Sequence, residues 1–103
     1  MAKNDMEVIM YKILRYLYEC MKTGKPPELT DIMWRCKLFD IPRAYWLAIM
    51  RELIEDEYIG GLRFVGAKDM EQVLQVGDIR ITKKGRDFFR DESVVSKIKP
   101  VLG

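Results

Sequence analysis

The sequence predicts a mainly α-helical fold with a small β-hairpin. Apolar residues repeat at three- and four-residue steps over two segments in the first half of the chain, a spacing typical of amphipathic helices. The pattern then changes to a β-branched and aromatic run around Gly60-Gly61, and a second, alternating run follows at 79–82. A domain commonly has about 100 to 150 residues. Since the chain has 103 residues, we expect residues 1–103 to form a single domain.

The first helix is predicted over residues 4–22. Asn4 is a good N-cap, and Glu7, three residues later, completes a capping-box-like pair. Gly24 favours a left-handed C-terminal stop, and Pro26 prevents the helix from continuing. The expected buried stripe of this helix comprises Met6, Met10, Ile13, Leu14, Leu17 and Met21.

Two shorter helices are expected next. Residues 28–39 predict a second helix, capped by Thr30 or Asp31. The third helix is expected from Pro42 to Asp56, because proline fits the first helical position, where its missing N–H costs nothing. The inner face of the third helix is expected to carry Trp46, Ile49, Met50, Leu53 and Ile54.

A hairpin and a further helix are expected in the second half of the chain. Residues 58–65 predict a strand with a bulge or close backbone approach at the glycine pair, and residues 79–82 predict its partner. The connection at 66–77 is compatible with either a helical turn or a longer hairpin. Beyond the hairpin, the expected helix caps are Thr82 and Ser93, and the expected core anchors are Phe88 and Phe89.

This order of elements is that of a winged helix-turn-helix. The run ITKKGRDFF at 81–89 resembles the entry to the last helix in many winged-helix proteins. Together with YKIL at 11–14 and DEYI at 56–59, it makes nearly the whole chain similar to the YjcQ-like family of Gram-positive bacteria and their phages. Glu57 stands where such proteins often have glycine. The resemblance implies a winged-helix fold and, often, assignment to DNA-binding proteins; it implies no demonstrated activity.

The composition excludes several kinds of catalytic and metal site. The chain has no histidine, which removes Ser-His and Cys-His nucleophiles and histidine-ligated zinc. Cys20 and Cys36 cannot close a tetrahedral zinc site by themselves, and no cofactor motif is present. We therefore expect a binding protein and not an enzyme, with no cofactor, metal or small-molecule substrate. No signal peptide or membrane-spanning stretch is recognisable, which predicts a cytoplasmic protein.

Positive charge is concentrated late in the chain. Residues 1–56 hold nine basic and nine acidic residues, whereas residues 79–90 hold five basic residues and one acidic residue. In a helix-turn-helix the second helix of the motif enters the major groove, and surrounding cations contact phosphates. We expect double-stranded DNA as the partner of a phage or prophage regulator, with a homodimer if the target is palindromic. The predicted DNA contacts are Arg43, Tyr45 and Arg51 in the groove and Arg63, Arg80, Lys83 and Lys84 on phosphates.

An alternative is a protein-interaction module. The exposed face of the third helix is expected to carry an apolar patch formed by Tyr45, Leu47 and Ala48, and exposed apolar patches mark protein contacts. Arg51 would then only pair with Glu55 four residues later, and the other surface charges would serve solubility. Winged helices contact both DNA and proteins, so the fold does not discriminate.

Overall fold

The computed structural model describes residues 5–66 and 70–90, which form three α-helices and one two-stranded antiparallel hairpin. The predicted cap Asn4, the side chain of Phe89 and the segment beginning at Ser93 lie outside what the structure describes. No helix in this part of the chain is long and apolar enough to cross a membrane. The helices are α1 (Asp5–Thr23), α2 (Arg43–Glu55) and α3 (Lys83–Arg90), and the strands are β1 (Ile59–Val65) and β2 (Gln72–Ile81).

The hydrophobic core lies between α1, α2 and the inner face of the hairpin. The apolar stripes predicted for the first and third helices are confirmed, with Ile13, Met50 and Leu53 fully buried. Met21 is the exception, because its side chain is 49% exposed. Near the end of α1 the stripe continues from Leu17 through the buried Cys20, three residues on. The most deeply buried side chains are Ile13, Leu14, Leu17, Ile32, Ile49, Met50 and Leu53.

The second helix predicted over 28–39 is not formed. The segment makes one 3₁₀ turn at Leu29–Ile32, with the expected caps Thr30 and Asp31 inside it. The backbone then turns back on itself, and Arg35 forms an isolated antiparallel bridge with Asp40. Among the described residues, the helical pair of a helix-turn-helix is therefore absent, since one of its two helices is replaced by a looped segment.

A buried hydrogen bond explains why this segment is not helical. In an α-helix the Ile32 carbonyl would accept the Cys36 N–H. In this structure it accepts the indole N–H of Trp46 at 2.7 Å, and the Cys36 N–H donates to the Phe39 carbonyl at 3.0 Å. The Ile41 N–H closes the loop on the Trp34 carbonyl at 2.9 Å. Tertiary contact with α2 therefore overrides the local helical pattern.

The hairpin contains a large bulge at the predicted glycine pair. Gly60 pairs with Arg80 and Leu62 pairs with Gln75, so that residues 76–79 of β2 lie opposite Gly61 alone. Gly61 has a φ of +90°, and a β-carbon there would collide with the Asp78 carbonyl. The connection left open at 66–77 is resolved from Gln72 onward as an extension of the hairpin.

The ends of α2 and β2 are joined at the start of α3. The Glu57 and Tyr58 N–H groups donate to the Ile54 and Leu53 carbonyls, which is the hydrogen-bonding pattern of a Schellman motif. Glu57 has a φ of +64°, a conformation that glycine adopts at lower cost. The Thr82 hydroxyl donates to the Glu57 carbonyl at 2.6 Å and accepts the Gly85 N–H at 3.0 Å. The predicted capping role of Thr82 is confirmed.

The Trp46–Ile32 hydrogen bond predicts a difference between two tryptophan substitutions. Trp46→Phe leaves the buried Ile32 carbonyl without its donor, which typically costs about 1–3 kcal/mol of unfolding free energy. Trp34→Phe removes similar volume from a half-buried ring whose cation–π contact with Arg43 is worth about 1 kcal/mol or less. Urea denaturation should therefore show the larger loss for Trp46→Phe. Equal losses would contradict the importance of the hydrogen bond.

The bulge predicts a similar contrast between two glycines. Gly61→Ala places a side chain at a left-handed φ, which costs about 1–2 kcal/mol of unfolding free energy. The new β-carbon also collides with the backbone, so the total loss of stability should be larger than that. Gly77→Ala, on the facing strand, meets only the Gly61 Cα at 3.9 Å and should be nearly neutral. Thermal denaturation followed by circular dichroism measures both. A stable Gly61→Ala protein with an unchanged midpoint would contradict this bulge geometry.

Candidate nucleic-acid interface

A shallow, open depression lies where the ends of the hairpin meet the first turn of α3. The end of α2 contributes Ile54 to its wall and the Schellman turn contributes Glu57. Ile59 and Gly60 of β1 also line it, and Lys83 and Lys84 line it from the first turn of α3. Because Thr82 links Glu57 to Gly85, the positions of these walls are fixed relative to one another.

Lys83 and Lys84 line this depression, and Arg80 lies against Gly60, which also lines it. We call these three cations the β2–α3 basic cluster. The Arg80 guanidinium lies over Gly60, where a built β-carbon would be 2.8 Å from the guanidinium carbon. Arg80 also donates to the Asp78 carbonyl at 3.3 Å. The Lys84 ammonium lies 5.9 Å from the centre of the Tyr58 ring.

Two carboxylates reduce the positive charge of the cluster. Asp87 lies 3.9 Å from the Lys83 ammonium, and Glu57 lines the depression. The Lys83 side chain is 83% exposed, and exposed pairs of this kind contribute about 0–1 kcal/mol. Lys83 is therefore available to exchange Asp87 for an external anion.

Arg63 lies apart from the lining of the depression. Its side chain is exposed on the outer face of β1, where its cross-strand neighbour is Leu74. Of the four predicted phosphate contacts, the structure brings together Arg80, Lys83 and Lys84 and leaves Arg63 nearer the tip of the hairpin.

The hairpin packs against the face of α2 that was expected to enter a groove, and it buries Leu47 there. Arg43, Leu47 and Arg51 follow one another at four-residue steps and lie on one face of the helix. The Arg43 guanidinium donates to the Glu71 carbonyl, just before β2, at 3.1 Å. Arg51 lies 5.5 Å from the Phe64 ring centre and bonds Glu55 at 3.2 Å, which confirms the predicted pair. Both arginines are thus engaged within the chain.

The prediction of an exposed apolar patch on this helix is wrong for Leu47, the central residue of the patch. Leu47 is only 8% exposed and belongs to the same buried cluster as Leu62 and Val73 of the hairpin. Tyr45 is half-buried against the core, and Ala48 is exposed. The three residues therefore form no continuous apolar surface.

Gly60 and Glu57 are parts of this site that sequence reasoning did not identify as such. The glycine pair was interpreted as a bulge or close backbone approach, and Glu57 was noted as a departure from the family pattern. A close approach of two strands at Gly60 was expected. The side chain that fills the space beside Gly60 is that of Arg80, which lies 20 residues later in the sequence. Only the strand register links the two.

Comparisons with known proteins give one match. The sequence model described as YjcQ protein matches residues 11–102. No curated protein matches the chain, and no solved structure does. Since the match covers most of the 103 residues, this chain belongs to the YjcQ family.

Proposed function

We propose that this YjcQ-family protein binds double-stranded DNA by contacting backbone phosphates through the β2–α3 basic cluster, without catalysis. The observation that carries the proposal is that Lys83 and Lys84 line one open depression at the start of α3, and that Arg80 lies against Gly60 in the same lining. Lysine and arginine side chains supply most of the affinity of non-specific DNA binding. The amino end of a helix adds partial positive charge and favours phosphate.

The proposed mode is a winged-helix arrangement with the hairpin as the wing. The order of α2, β1, β2 and α3 supports it, although the looped segment before α2 replaces the expected helix. Because Arg43 donates to the Glu71 carbonyl and Arg51 lies against the Phe64 ring of the hairpin, we assign the main contact to the cluster and not to α2. Phosphate contacts position a protein without reading bases, so we expect weak sequence preference. A regulatory role in a phage or prophage is supported by the family resemblance alone.

The protein-interaction alternative has lost its main support. It required an apolar face on α2, and Leu47 at the centre of that face is buried. We therefore retain DNA binding as the proposed function.

Salt dependence tests the proposal. Each phosphate contact contributes about −0.9 to the slope of log affinity against log salt, so three contacts give a slope near −3. Fluorescence anisotropy with a random-sequence duplex at several salt concentrations measures it. Lys83→Gln and Lys84→Gln should each reduce the slope by about one. Glu57→Gln should strengthen binding, since it removes a carboxylate from the depression.

Lys22→Gln is the matched control. It also removes one positive charge, but at the carboxyl end of α1. The β2–α3 basic cluster is near the opposite end of that helix, because Phe88 of α3 lies beside Met6 and Met10. The slope of the Lys22→Gln variant should equal that of the unmodified protein. Undetectable binding at low salt would refute DNA binding. Equal effects of Lys22→Gln and Lys83→Gln would refute the location of the site.

A further inference from the structure

A second concave surface lies between α1 and the looped segment before α2. It encloses about 490 Å³, and its walls are almost entirely apolar. Tyr11 and Tyr16 of α1 form one side, and Leu38 of the loop forms the other. A neighbouring hollow of about 350 Å³ shares Tyr16 and Leu38 and prolongs the surface along the loop. We call the larger cavity the α1–loop groove.

The walls of this groove are held in place by hydrogen bonds. The Tyr16 hydroxyl donates to Asp31 and accepts the Glu28 N–H, which fixes the ring against the loop. Burial and the hydrogen bond to Asp31 raise the pKa of Tyr16 well above its usual range, so the hydroxyl remains a donor at neutral pH. The Lys12 ammonium donates to the Leu38 carbonyl at 3.3 Å and ties the loop to α1. The groove is therefore formed before any ligand enters.

The rim of the groove is positively charged. Lys12, Arg15 and Lys37 border it, against the single carboxylate of Glu19. That carboxylate lies 3.9 Å from the Lys22 ammonium, which partly neutralises it. Within residues 5–66 and 70–90, Arg15 and Lys37 take part in no hydrogen bond or ion pair. Two cations are thus available at the edge of an apolar cavity.

We propose that the α1–loop groove binds a small organic anion with an apolar body, such as a medium-chain carboxylate. Sites for small molecules typically enclose about 300–1,000 Å³ and combine apolar walls with a few placed polar groups. The apolar body would lie against Tyr11, Tyr16 and Leu38, and the anionic group would pair with Arg15 and Lys37. A bare phosphate would leave the apolar walls unused, and a neutral hydrocarbon would leave the cations unused. This binding is independent of the DNA contact proposed above.

Fluorescence titration with anilinonaphthalene sulfonate tests the proposal, because this probe joins an aromatic body to an anionic group. We expect saturable binding, with decanoate displacing the probe. Arg15→Gln and Lys37→Gln should each weaken probe binding about two- to fivefold, as partly exposed ion pairs do, and the double variant by about tenfold. Decanol, which has the same chain and no charge, should displace the probe far less effectively than decanoate.

Arg35→Gln is the matched control. Arg35 belongs to the same loop and its side chain is 82% exposed, but it pairs with Asp40 and does not line the groove. Its probe affinity should be unchanged, and far-ultraviolet circular dichroism should confirm that every variant is folded. Unchanged affinity in the double variant would overturn the proposal. Equal displacement by decanol and decanoate would also overturn it, because recognition would then not depend on charge.

Discussion

The packing of the hairpin along α2 determines which surfaces of this protein are left for a partner. Leu47 is buried in the cluster that includes Leu62 and Val73 of the hairpin. Burying a leucine is worth about 1.5–3 kcal/mol, more than the roughly 0.5–1 kcal/mol of an exposed cation–π contact such as that of Arg51 with Phe64. Apolar burial therefore holds the hairpin in place, and the two flanking arginines adapt to it.

Glycine makes this packing compatible with the basic cluster. Residues 76–79 bulge over Gly61, and Arg80 resumes the strand pairing opposite Gly60. The Arg80 guanidinium then occupies the space that a side chain at Gly60 would fill. At the other end of the same junction, Gly85 lies so close to the Tyr58 carbonyl that no β-carbon fits. The cations of β2 and α3 thus meet at a junction where Gly61 and Gly85 lie too close to backbone atoms to carry a β-carbon, and where Gly60 accommodates the Arg80 side chain.

Elements determined by local pattern could be predicted from the sequence. The apolar repeats fix α1 and α2, the glycine pair marks the bulge, and the Thr82 cap depends on a hydroxyl three residues before Gly85. These features need only near neighbours in the chain.

Features decided by distant contacts could not be predicted. The segment 28–39 has a helical pattern, but the Trp46 indole takes the Ile32 carbonyl that a helix would use. Leu47 lies on the outer face of its helix and is buried only because the hairpin folds back over it. The groove beside Tyr16 exists only because the predicted helix became a loop. To predict each of these features, one must know where an element that is distant in the sequence lies in the fold.

Amide chemical-shift mapping with a DNA duplex at low salt tests the central claim, that the hairpin packs over Leu47 of α2 and that the β2–α3 basic cluster is the binding surface. The account predicts that shifts will concentrate at residues 80–86 and around Gly60. The amide chemical shifts of Ala44 and Ala48, on the solvent-exposed side of α2, should not change. Chemical-shift changes concentrated along α2 from Arg43 to Arg51, with no change at residues 80–86, would contradict this account.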